Sequence, residues 1–257
     1  FIFQAEMEFQ CSSGFLARPD LRGLQGSNEQ WDELVNDLHF ADTPEYAAGH
    51  GVSVTWDILN GQCQTLRTCW IPEAFVEKTA TAKLEGIQLS MDALGALGSG
   101  KEAVELLQPL VDRYRDWIHE QDATLAGLSH QRQEVAKELL RLAGNAARRM
   151  ESGIQLLKDD SDALEAFCMA NRAVANALKK RLKIENPSWR AFQLAFQLLN
   201  LRGMADPESP ERETVDLLFF PTGGGKTEAY LGLAAFAMVL RRLQNPGLTG
   251  AGVSVIM

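Results

Sequence analysis

The sequence predicts a mixed α/β chain in three parts. A β-rich N-terminal region spans residues 1–80, a helical region spans 81–187, and residues 188–257 open a parallel β-α-β unit that is truncated. Three observations predict this. Apolar residues alternate with polar ones in the first part, the period changes to 3.6 from about Ala82, and an apolar run meets three glycines and a helix-like pattern in LLFFPTGGGKTEAYLGL. The chain has 257 residues and a formal charge of −9, room for one large domain or two modest ones. That charge excludes a molecule that grips nucleic acid through an overall basic surface.

The stretch FIFQAEMEFQ places Phe1, Phe3, Ala5, Met7 and Phe9 on one face of a half-buried strand. GVSVTWDI repeats the alternation, and QCQTLRTCW follows across Asn60-Gly61, a strong hairpin signal. An acidic, mixed segment, Ser27–Tyr46, lies between the first two stretches, and Glu29–Asp42 within it reads as a solvated loop. Cys11, Cys63, Cys69 and Cys168 form no CxxC pair, and His39, His50, His119 and His130 are scattered. Neither set has metal-ligand or disulfide spacing, which fits reduced thiols in a cytosol.

Three helical stripes follow. Leu107, Leu110, Val111, Tyr114, Trp117 and Ile118 form the first. Val135, Leu139, Leu142, Ala146, Met150, Ile154 and Leu157 form the second. Leu164, Phe167, Val174, Leu178 and Leu182 form the third, with Asp162 and Glu165 at capping-pair spacing and Pro187 beyond its end. These are core faces. The run Lys179, Lys180, Arg181, Lys183 suits a helix C-terminus, where the dipole favours cations. Ser188 is placed to cap a helix SWRAFQLAFQLLNL ending near Gly203, and a polar loop spans Met204–Glu213. TVDLLFF then reads as a buried strand, KTEAYLGLAAFAMVLRRL as a helix, and GAGVSVIM as a second strand. The most apolar run, Ala229–Leu240, is about half of what a membrane span needs, so no membrane partner is expected.

A loop from strand to helix leaves unpaired N–H groups at the helix start, and these favour an anion. Gly223, Gly224 and Gly225 allow positive φ angles and close approach of the backbone to a phosphate. Lys226 would reach the β- and γ-phosphates of ATP, and the Thr227 hydroxyl would sit on Mg²⁺. By chance, Pro-Thr-Gly-Gly-Gly-Lys-Thr is expected well below ~1 in 1,000 chains of ordinary composition. One departure stands: Phe220 occupies the first glycine position of the strict G-x-x-x-x-G-K-[ST] pattern.

The stretch PTGGGKT resembles motif I of superfamily 2 helicases, whose fold is RecA-like. Arg190-Ala191-Phe192-Gln193 is similar to the upstream motif of that group, in which a glutamine reads adenine. The resemblance makes Gln193 the candidate base reader, with Gln197 as the other candidate and Arg190 in support. The longer runs FFPTGGGKTEAYLGLAAFAMVLRRL, WRAFQLAFQLLNL and YAAGHGVSVTW resemble the DrmA family, the helicase subunits of DISARM anti-phage systems. That likeness implies a cytoplasmic ATP-driven helicase or translocase on DNA, working with a partner subunit of the same system. It also implies a longer protein, since the acidic motif and the arginines of a second lobe are expected beyond Met257. The residues alone leave two other readings open: a non-helicase P-loop NTPase with a partner-binding helical module, and an interaction domain with a vestigial loop.

Overall fold

A computed structural model describes residues 5–19, 30–72, 80–81, 84–219 and 223–247. The chain divides into two units. Phe1–Lys78 with Leu125–Glu138 form the first, and Thr79–Thr124 with Leu139–Met257 form the second.

In the first unit, strands β1 (Glu8–Phe15), β2 (Ser53–Leu59) and β3 (Gln62–Cys69) make an antiparallel sheet in the order β1-β3-β2. The hairpin falls where Asn60-Gly61 placed it. Both turn residues have positive φ, 52° and 78°, the geometry whose twist matches two right-twisted strands. Arg67 on the central strand binds Glu8 on one side and Asp57 on the other, each at 2.6 Å, tying the three strands together. Three expectations change here. The first strand runs later than FIFQAEMEFQ, and Phe1 and Phe3 lie outside the described residues. Met7 and Phe9 are about half exposed rather than buried. The acidic segment is not all loop: it contains α1 (Trp31–His39), in which Trp31, Leu34, Val35 and Leu38 recur at helical spacing. Asp32 and Glu33 stand in its first turn, where the dipole favours acids.

The second unit is helical. Helices α2 (Met91–Leu94), α3 (Gly100–Asp122), α4 (His130–Asp159, which begins in the first unit), α5 (Ser161–Leu182), α6 (Ala191–Ala205) and α7 (Lys226–Gln244) supply its elements. The three predicted stripes are mostly core faces. Leu107, Val111, Met150, Ile154, Leu157, Phe167, Val174 and Leu178 are buried, while Trp117, Leu142 and Leu182 stay exposed at the margins. A Cβ on Gly153 would lie 2.0 Å from the Leu198 carbonyl oxygen, so only glycine lets α4 approach the α6 backbone here. Two caps shift from their expected places. Asp160, not Asp162, caps α5, accepting from the amides of Asp162 and Ala163. Ser188 pairs with Ser90 in an isolated bridge, and Arg190 is the N-cap of α6.

The parallel β-α-β unit is only partly present. Its helix is α7. Thr214–Phe219 form no strand, because no strand lies beside them among the described residues, and a parallel pair needs a neighbour in the same sheet. Nor is the segment buried as the sequence suggests. Val215, Leu217 and Phe219 are 94%, 84% and 90% exposed, whereas Leu218 packs against the core. GAGVSVIM lies outside the described residues. The described residues are therefore mostly helical with a small antiparallel sheet.

Candidate phosphate-binding loop

Helix α7 buries Ala229, Gly232, Leu233, Phe236 and Leu240 against α5 and α6, a continuous stripe at helical spacing. This packing fixes the helix start. The glycines lead into it with Gly223 at φ 81° and Gly225, the N-cap, at φ 85°. The N-cap Gly225 makes no side-chain cap bond, and the amides of a helix N-terminus favour an anion. Gly224 is buried, while Gly223 and Thr227 are exposed and Lys226 is half-buried.

The start of α6 lies behind this loop. Arg190 Nη1 donates to the Gly224 carbonyl at 2.6 Å, and Gln193 Nε2 donates to the Gly225 carbonyl at 2.6 Å. The Arg190 backbone N–H donates to Gln193 Oε1 at 2.7 Å. The structure thus brings Gln193, Arg190 and the glycines together. Gln193 is 5% exposed, with both ends of its amide engaged. Gln197, the other candidate, sits one turn on, and its Oε1 lies where a Cβ on Gly232 would be only 2.7 Å away. It packs against α7 away from the loop.

Two supports were not visible in the sequence. Trp189 Nε1 donates to Asn171 Oδ1 at 2.7 Å, and Asn171 Nδ2 donates to the Phe167 carbonyl at 2.9 Å. Both side chains are buried, so this satisfied pair pins the start of α6 onto α5. Arg149 on α4 makes two 2.7 Å bonds to Asp216, in the segment that leads to the glycines. That bond raises the Arg149 pKa further, so the cation is permanent. Of the basic run, Lys179 pairs with Asp92 at 2.7 Å and Arg181 with Glu228 at 3.5 Å. Both pairs are largely exposed and contribute little. Among the described residues, no cluster of three or more His, Cys, Asp or Glu side chains is placed to hold a metal ion, and no helix is long and apolar enough to cross a membrane.

Gly225→Ala is expected to weaken ATP binding by roughly tenfold or more. Alanine in the left-handed region costs about 1–2 kcal/mol, and its Cβ would meet Gln193 Nε2 at 2.6 Å. Isothermal titration of the full-length protein checks this, and an unchanged affinity would remove the requirement for glycine.

A glycine turn on an uncapped helix, followed by Lys-Thr, defines a candidate nucleotide-phosphate-binding protein. No family model matches the chain. It is 32% identical over 229 residues to the DISARM protein DrmA of Bacillus paralicheniformis, covering 79% of this chain and 20% of that protein. The chain is a DrmA-like protein. It spans about a fifth of the length of that curated relative.

Proposed function

We propose that this chain carries the ATP-phosphate loop of a cytoplasmic DISARM helicase or translocase, which couples ATP hydrolysis to movement on DNA together with a partner subunit. The observation that carries the reading is the loop itself: Gly223–Gly225 at an uncapped helix start, followed by Lys226 and Thr227, in a DrmA-like chain. In this reading the RecA-like core is completed by residues of the longer protein, and Val215, Leu217 and Phe219 become covered there.

The residues fit a polyphosphate. The loop and first-turn amides offer donors at the positive end of the α7 dipole. Lys226 supplies a compact cation to the β- and γ-oxygens, and the exposed Thr227 hydroxyl supplies an oxygen ligand for Mg²⁺. Mg²⁺, when bound, neutralises charge that develops on the phosphates. Gln193 reads adenine in the same proposal. Its Oε1 keeps a second lone pair and its Nε2 a second N–H, the acceptor and donor that an adenine edge requires.

The test is ATP turnover by the full-length protein with and without DNA. A motor is expected to hydrolyse ATP faster, by about tenfold or more, when DNA is bound, since closure around DNA completes such a site. Turnover indifferent to DNA would favour a signalling or assembly NTPase instead.

A further inference from the structure

We infer that Arg190 and Gln193 are positioning residues that set the orientation of the phosphate loop; this rests on the phosphate-loop reading above. The constraint comes from the peptide group. In a planar trans peptide, the C=O and the following N–H point in opposite directions. Arg190 holds the Gly224 carbonyl, so the Gly225 N–H faces away from α6. Gln193 holds the Gly225 carbonyl, so the Lys226 N–H faces away from α6 as well. Arg190 and Gln193 thereby turn two successive amides away from α6. Successive amides so directed form an anion-binding nest.

The details favour a built latch over a chance contact. Gln193 is nearly fully buried, and a buried amide is costly unless both ends are bonded. Its oxygen is bonded within α6, and its nitrogen reaches the glycine loop on a distant part of the chain. Arg190 makes a charge-assisted bond, stronger than a neutral one. The latch also accounts for a glycine. A Cβ on Gly223 would meet nothing within 4 Å, so its backbone angle alone calls for glycine. At Gly225 the Gln193 nitrogen occupies the place where a Cβ would go.

The experiment uses inorganic tripolyphosphate, which has no base, so that adenine reading cannot contribute. In the full-length protein, Gln193→Leu keeps the volume and removes the donor. Arg190→Ala removes the second donor at an exposed position, where core packing is not at stake. Each is expected to weaken tripolyphosphate and GTP binding by about tenfold, one hydrogen bond's worth of orientation; Arg190→Ala weakens ATP by the same factor, and Gln193→Leu weakens ATP further because the adenine reader is lost as well. Arg190→Lys, which keeps a cationic donor, is expected to recover part of the loss. With tripolyphosphate bound, the Gly225 and Lys226 amides are expected to lose protection against hydrogen exchange in both latch-removing variants, with exchange in α5 unchanged. Loss confined to ATP, or unaltered exchange at those two amides, would overturn the latch. Failure of the wild type to bind tripolyphosphate would sink the phosphate-loop reading itself, and the latch with it.

Discussion

Lys226→Ala in the full-length protein is expected to abolish ATP turnover while leaving the fold intact. The lysine opens α7, beside the turn formed by Gly223–Gly225. A cation there stabilises charge that grows on the transferred phosphoryl oxygens, and removing one such preorganised contact costs on the order of 100- to 1,000-fold in rate. Stability should barely move. The residue is half-buried and outside the apolar stripe of Ala229, Leu233, Phe236 and Leu240, so no core volume is lost. Phosphate release measured under saturating ATP, beside circular dichroism of the same sample, separates the two effects. Turnover within about twofold of wild type would refute the assignment, since no uniform-binding role explains a silent lysine in this loop.

How much of this could be read from residues depends on the range of the interaction. The Asn60-Gly61 hairpin and the helix that follows the glycines were legible, because turn chemistry and 3.6-residue periodicity are local. The three core stripes were legible for the same reason, except at Trp117, Leu142 and Leu182, where burial depends on which neighbour reaches that far. Helix α1 was obscured by its acids. The count of Asp and Glu outweighed the spacing of Trp31, Leu34, Val35 and Leu38, which carried the signal. The buried strand expected of TVDLLFF is absent over its described residues, Thr214–Phe219, for a different reason. A strand is completed by a partner, and local sequence does not say where that partner lies. At the site, the glycines and Lys226 were found by motif. The bonds from Arg190 and Gln193 to the loop carbonyls were not, since they arise from the tertiary approach of α6 to α7. The pairing of Trp189 with Asn171 was hidden likewise: nothing local links an indole to an amide on another helix.

The largest stability effect is expected at Arg149, far in sequence from the glycines yet joined to the segment that leads into them. Its guanidinium holds Asp216 with two 2.7 Å bonds and lies 3.7 Å from Glu211. Arg149 Nε and Glu211 Oε2 are buried without a hydrogen-bond partner, so the arrangement relies on charge as well as on bonds. The side chains of Arg149 and Asp216 are only 18% and 20% exposed. Arg149→Met keeps much of the apolar stem and leaves two carboxylates without their shared cation. Breaking a buried pair in this way costs about 3–5 kcal/mol, and the residual exposure favours the lower end. Arg149→Lys retains the charge but not the paired geometry, and its deficit should fall between the two. Native-state hydrogen exchange of the α4 amides around Arg149 checks the magnitude in both variants. A deficit in Arg149→Lys as large as that in Arg149→Met would contradict an electrostatic tie between α4 and the approach to the loop.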